Sequence, residues 1–495
     1  MFNDCKKLVS AGRVLVCALL LGSLLLSAAD VWGASSRTRR TRRDRADRAR
    51  QERMEEAEKK EAGEQELVVG DEEKEGEEEV VKEKEEVVKP AQQVEKSEPA
   101  KREVVMRMVK DELKVSGVKP ERTLEVADFR VYGYMPDYVK DFWPKVKLEY
   151  LTDVIFFKAG INDKGDLLMA QKNVDLLKRM SKGCKSRGVK IHVAIGGWRT
   201  KEIQAKYVKV MTSVKLRRKL VQEIGQFVKK HRLDGFNLDW EYPDPGTQTK
   251  AYSEFIYELT KLLAKGKKTV GTAVMQVKPM LVKRGFAQDA VMTMTYDFQP
   301  VNSPFDRVQE SINFWLSLMK KNGIKGAEGK LVMGVPFYGR SLTNWKKAKG
   351  YGTILKENPK IGEEVDKAGE IAFTNIKSMR ERVAWAMDKK LKGVMIWQLG
   401  QDAVGEKSLL KAIYKEIIMK KGLPDFNMDG MLNKGDLYVM RKNWLKETDP
   451  EADKERAWRM GDLNLDGKVD GKDVGMVKKS WKAGGKALKI MGKAK

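Results

Sequence analysis

The run Leu233–Pro243, LDGFNLDWEYP, gathers Asp234, Asn237, Asp239 and Glu241 around Phe236, Leu238 and Trp240. Side chains of a β-strand alternate between its two faces. On a strand, Asn237, Asp239 and Glu241 therefore share one face, and Phe236, Leu238 and Trp240 the other. The apolar set can pack beneath helices while the polar set lines a central cavity. Two carboxylates two residues apart on one face perturb each other's proton affinity. A pair pushed apart in this way can divide acid and base roles. A solvated edge strand would also carry charges, but Trp, Phe and Leu on the opposite face argue for burial there.

Such a strand needs a scaffold to aim it. From Arg130 onward, short apolar segments alternate with amphipathic ones. Val214–Lys230 reads as a helix, with Leu216, Leu220, Ile224 and Phe227 at helical spacing, leading through His231 into the carboxylate strand. This alternation fits an α/β fold, an eightfold (β/α)8 barrel of TIM type, whose active residues cluster at the carboxyl ends of the strands.

The carboxylate run resembles the DGxDxDxE signature of the family-18 glycoside hydrolases, the chitinases and their relatives. Further segments follow in that family's order. Arg130–Tyr138 (RVYGYMPDY) is similar to its first strand, Leu151–Ile161 to its second, and Ile191–Trp198 (IHVAIGGW) to its third, with the SxGG motif. Met294–Asp297 (MTYD) matches the sixth-strand motif, Leu331–Arg340 the seventh strand, and Gly393–Leu399, which contains Trp397, the eighth.

The resemblance implies retaining, substrate-assisted hydrolysis of a β-linked N-acetylglucosaminide, outside the two-carboxylate nucleophile scheme. It implies Glu241 as the acid and base, Asp239 as the carboxylate holding the acetamido N–H, and Tyr296 as the donor to the acetamido carbonyl. Asn237, Asp297, Trp397 and Tyr338 complete the substrate-binding set, with packing as the alternative role for Tyr338. Two positions depart from the pattern: the middle Asp is Asn237, and the Ser of SxGG is Ala194. Both changes fall beneath the implied catalytic Asp. An amide there can hydrogen-bond Asp239 but adds no charge, which should ease its ionisation. The short insertion at about Ser341–Thr374 implies a shallow, open groove.

Near the C-terminus, Asp425, Asn427, Asp429, Gly430, Asn433 and Asp436 occupy positions one, three, five, six, nine and twelve of a loop. Asp462, Asn464, Asp466, Gly467, Asp470 and Asp473 repeat the pattern. Alternating oxygens with a glycine at the sharp turn suit a hard cation. Each loop leads into a helical segment with a later tryptophan, Trp444 and Trp481. This duplicated loop and helix, ending in Asp rather than Glu, resembles a dockerin module, implying two Ca2+ ions and a cohesin-bearing scaffold partner. The pairs Lys434–Gly435 and Gly471–Lys472, at the positions where dockerins read their partner, depart from the usual hydroxyl-bearing residues. A cap that only stabilises the chain is the alternative.

The remaining sequence bounds the context. Residues 1–33 read as a secretory signal, with Lys6, Lys7 and Arg13 before the apolar run Val14–Ala28 and cleavage after Ala29 or Gly33. Residues 34–125 form a charged, low-complexity linker without enough apolar surface to fold. An Arg-rich part of it could bind an anionic surface or be plain solvated chain. The expected order continues with the barrel over 126–421, the cation-binding domain over 423–484 and a basic tail over 485–495.

The net charge of +26 suggests attraction to polyanions such as acidic wall polymers. No nucleic-acid motif is visible, and no membrane span is expected in the mature chain. Only Cys184 survives removal of the signal, so no internal disulfide forms. With His192 and His231 the only histidines, no Ser-His-Asp triad is credible. No catalytic cofactor is expected, and the protein should be secreted or held at the cell surface. A catalytically weak, lectin-like binder or a structural surface protein on the same barrel are the competing readings. Retention of Glu241 favours the enzyme.

Overall fold

The computed structural model describes residues 129–480, apart from 198–199, 431, 433 and 478. The signal-like residues 1–33, the linker 34–125 and the tail 485–495 lie outside the described residues, as do Asn433 and Trp481.

Eight parallel strands form the centre: β1 (Arg130–Pro136), β2 (Asp153–Ile161), β3 (Lys190–Gly197), β4 (Gly235–Trp240), β5 (Thr269–Val274), β6 (Ala290–Thr293), β7 (Leu331–Pro336) and β8 (Gly393–Trp397). Each pairs with the next, and β1 pairs with both β2 and β8, which closes the sheet into a barrel. Helices α1 (Gln171–Ser186), α2 (Lys201–Thr212), α3 (Val214–Lys230), α4 (Thr247–Ala264), α5 (Phe305–Lys321), α6 (Tyr351–Glu357), α7 (Ile376–Asp388) and α8 (Leu409–Lys420) occur in the connections and after β8.

Helix α3 shows how the ring is specified. Ser213 caps it, its side chain accepting the Leu216 N–H, and Lys229 and Lys230 sit in the last turn where the helix dipole favours cations. Its buried face is Leu220, Val221, Ile224 and Val228. Leu216 and Phe227, expected on that face, are only half-buried, so the stripe is rotated toward Val221 and Val228.

Two strand boundaries differ from the sequence reading. β6 stops at Thr293, so Met294–Asp297 is the loop beyond the strand, where Asp297 takes a positive φ of 61°. The Leu331–Arg340 run breaks at Phe337. Tyr338–Ser341 instead pairs antiparallel with Ala348–Gly350 and Ile371–Ala372 in a separate four-stranded sheet within the insertion between β7 and β8.

Buried side chains divide into two layers. Phe236, Leu238 and Trp240 belong to the layer between strands and helices. Trp240 meets Tyr252 edge-on at 5.3 Å and donates its indole N–H to Gln204 at 2.8 Å. The barrel interior contains Tyr132, Tyr134, Ile155, Phe157, Ala194, Met292, Tyr296, Tyr338 and Met395. At the strands' amino ends, Asp153 accepts from Arg130 Nε at 2.9 Å and lies 2.9 Å from His192 Nε2. His192 is therefore part of a buried structural network at the end of the barrel that carries stability rather than chemistry. Cys184, on α1, is fully buried.

Beyond α8, helices α9 (Lys434–Asn443) and α10 (Lys454–Met460) and a helical stretch over 471–477 form the C-terminal region. Phe426, Met428, Trp458 and Leu463 join the same buried cluster as the barrel's outer layer. Among the described residues, no helix is long and apolar enough to cross a membrane.

Candidate functional site

The carboxylate strand is aimed as its alternation predicts. Asn237 and Asp239 are 1% and 4% exposed and lie on the face opposite the outer-layer residues Phe236, Leu238 and Trp240. Asn237 stands beside Ala194 on β3 and Gly271 on β5. A Cβ at Gly271 would fall 2.1 Å from Asn237 Oδ1, so the amide occupies space that this glycine leaves. Gly196 is needed for a similar reason: at φ 135°, an added Cβ would meet the Asp239 carbonyl at 2.0 Å.

Glu241 is the first residue past β4 and is half-buried. The phenols of Tyr134, Tyr242 and Tyr296 feel the charge of Asp239, and those of Tyr134 and Tyr242 that of Glu241. Burial first, then these carboxylates and neighbouring phenols, raises all three phenols well above the usual range, so they remain protonated donors. Tyr296 lies edge-on to Tyr338 at 6.2 Å. Trp397 ends β8, with its ring 5.4 Å from Tyr134 and 5.2 Å from Phe157. Tyr134 and Phe157, both buried, back the half-buried Trp397 at the carboxyl end of the barrel. An open depression of about 430 Å3 is lined by residues including Asp137, Lys158 and Met169. A register shift in β2 between Phe157 and Ala159 accompanies the outward turn of Lys158.

Asp297 and Tyr338 are brought together: the Tyr338 hydroxyl donates to Asp297 Oδ1 at 2.7 Å. Arg340 Nε donates to the same oxygen at 2.6 Å, a partner the sequence reading missed. Asn302 was also missed. Its Oδ1 accepts the Asp297 N–H at 3.0 Å, and its Nδ2 donates to the Tyr338 carbonyl at 3.0 Å, fixing both residues. Gln204 ties the carboxylate strand to α2 through Trp240 and the Tyr242 carbonyl. None of these three has a local sequence signal, because each acts across a turn or between elements.

The two C-terminal loops fold alike. Gly430 and Gly467 have φ of 86° and 93°, and Met428 and Leu465, two residues earlier, have φ of 55° and 58°. Asp425, Asp436, Asp462 and Asp473 are fully buried. Asp425 accepts the N–H groups of Asp429 and Gly430 at 3.1 and 2.9 Å, and Asp462 those of Asp466 and Gly467 at 3.2 and 3.1 Å. Burial pushes the Asp425 carboxyl up to about 6. Asn427 and Asn464 donate to Asp429 and Asp466, each at 3.0 Å, while Asp470 accepts the Lys472 N–H. Among the described residues, no three carboxylate, imidazole or thiolate groups converge into a closed cation cage.

Comparison with known proteins agrees with this architecture. The sequence model for glycosyl hydrolases family 18 matches residues 130–402. The chain belongs to glycosyl hydrolases family 18. A second model, the dockerin type I domain, matches residues 423–481. Endochitinase of Manduca sexta is 24% identical over 353 residues, covering 55% of this chain and 63% of that protein. Chitotriosidase-1 of Mus musculus is 24% identical over 333 residues, covering 54% and 71%. The match to probable chitinase 10 of Drosophila melanogaster covers only 10% of that protein. Among solved structures, the GH18 chitinase ChiB from the chitin utilization locus of Flavobacterium johnsoniae has 26% identity and a TM-score of 0.53, covering 61% of this chain and 96% of that one.

Within this family 18 barrel, the two departures meet physically, since Ala194 and Asn237 are register partners on β3 and β4. No described protein group bonds either end of the Asn237 amide. In the dockerin region, the all-oxygen donors at alternate positions and the turn glycines fit a hard cation such as calcium.

Proposed function

We propose that this protein is a secreted retaining glycoside hydrolase that cleaves β-linked N-acetylglucosaminides with help from the substrate's own acetamido group. In this reading the sugar's acetamido oxygen attacks C1 while Glu241 protonates the departing glycosidic oxygen. An oxazolinium ion forms, and Glu241 then takes a proton from the water that opens it. Asp239 holds the acetamido N–H and balances the developing positive charge. Tyr296, kept protonated, donates to the acetamido carbonyl. Trp397 offers the apolar face on which the sugar stacks, and the Tyr338–Asp297–Arg340 group holds ring hydroxyls. The observation that carries the reading is Asp239 among three protonated phenols, with Glu241 beside it at the strand end.

The dockerin region is proposed to hold calcium at Asp425, Asn427, Asp429 and Asp436, and at Asp462, Asn464, Asp466, Asp470 and Asp473, with Asn433 outside the described residues. Calcium there would supply folding free energy to the module and take no part in hydrolysis. A cohesin-bearing scaffold is the proposed partner, with the enzyme acting outside the cell.

The test is product analysis on chitin oligomers, peptidoglycan and a high-mannose glycopeptide, for wild type and Glu241→Gln. Wild type should release products with retained β-configuration. The variant should lose roughly 100- to 10,000-fold in rate while still binding. Wild-type rates in Glu241→Gln would overturn the assignment. Binding without cleavage by the wild type would favour the lectin-like alternative.

A further inference from the structure

The two cation loops share a backbone conformation but not their surroundings. In the second loop, Asp462 is held from within its own module, by the Thr448 hydroxyl and the N–H groups of Asp466 and Gly467. In the first loop, the corresponding carboxylate is held by the barrel. Tyr414, on α8, donates its hydroxyl to Asp425 Oδ2 at 2.6 Å. Tyr150, just before β2, stacks on Tyr414 with ring centroids 4.5 Å apart and planes 21° from parallel. Its hydroxyl donates to the Met428 carbonyl at 2.8 Å. The loop's first and fourth positions are thus both pinned by barrel side chains. The turn glycine also fits closely, since a Cβ at Gly430 would come within 2.4 Å of Glu149 Cβ. A second tie lies nearby: Arg380 on α7 reaches Glu416 on α8 and Glu455 on α10, each at 2.9 Å.

We infer that Tyr414, supported by Tyr150, is a positioning residue for the first cation loop, so that calcium binding there and stability of the hydrolase barrel are one coupled equilibrium. The inference rests on the proposal that the loops hold calcium. Tyr414 and the Gly430 N–H together hold Oδ2 of Asp425, while Oδ1 accepts the Asp429 N–H at 3.1 Å and keeps a second lone pair for the metal. Preorganisation of this kind lowers the ordering cost of binding. The linkage is reciprocal: a barrel that favours the bound loop is itself favoured by the ion. The second loop, whose first carboxylate has no barrel tie among the described residues, is the internal control.

The experiment uses the full chain and calcium chloride. Titration calorimetry counts the ions and their affinities, and scanning calorimetry follows barrel unfolding in calcium and in chelator. Wild type should bind two ions, and its barrel transition should rise by several degrees with calcium. Tyr414→Phe should weaken one site about tenfold, roughly 1.4 kcal/mol, and leave the other unchanged. Tyr150→Phe should weaken the same site by less. Asp425→Ala should remove most of the calcium-dependent rise, and Asp462→Ala should keep it. Two unchanged sites in both Tyr→Phe variants, or a barrel transition indifferent to calcium, would overturn the inference. Failure of the wild type to take up calcium would instead overturn the underlying reading of the loops, and the inference with it.

Discussion

Replacing Asn237 with leucine should make the barrel more stable and the reaction slower. Asn237 is 1% exposed, and no partner among the described residues bonds either end of its amide. A buried polar group without a partner costs about 1–3 kcal/mol, and leucine removes two such atoms. Against this stands the added bulk. The amide already fills the gap over Gly271, with Met292 Cε nearby, and overpacking costs typically 1–3 kcal/mol. The balance should favour leucine by about 1 kcal/mol, a rise of roughly 2–4 °C in Tm. In the proposed mechanism the amide shares the strand face of Asp239, two residues away, and supports its charge, so kcat should fall at least tenfold with KM little changed. Thermal unfolding and initial rates on a chitin oligomer measure both. A variant destabilised by more than about 1 kcal/mol with unchanged kcat would show that the amide is an ordinary structural group and refute the reasoning.

The other expectations concern charge and mechanism. Asn237→Asp puts a second carboxylate beneath Asp239. Like charge disfavours ionisation, so the acidic limb of the rate profile should move to higher pH. An unmoved limb would mean that the two groups do not sense each other. If the acetamido group is the nucleophile, a thiazoline analogue of N-acetylglucosamine should inhibit competitively, and fully deacetylated polymer should be inert. Efficient cleavage of that polymer would exclude substrate assistance.

The parts of this fold that could be read from sequence are those where chemistry and periodicity coincide. β4 was legible because its apolar and polar residues alternate strictly, and the dockerin loops were legible because their Asp, Asn and Gly positions repeat at fixed spacing. β5, TVGTAV, carries no distinguishing chemistry and gave no signal beyond its apolar character. The end of β6 was misplaced because Met294–Asp297 continues an apolar run, whereas Asn302 turns the backbone at Asp297. Arg340 was missed because its partnership with Asp297 depends on the insertion's own sheet, which carries Arg340 away from β7. The contacts of Tyr150 and Tyr414 with the first loop are invisible for a plainer reason: Tyr150 and Met428 are 278 residues apart, and no local pattern records such a meeting.

Cys184 has a practical consequence. It is the cysteine found among the described residues, and burial pushes its thiol up to about 12. A thiol so buried and so rarely ionised reacts slowly with maleimides. A cysteine placed at the exposed Tyr438 position would then be a selective attachment point on chain freed of residues 1–33. If the proposed function holds, a fluorophore there would let single molecules be watched on a solid polymer, reporting how long each stays bound.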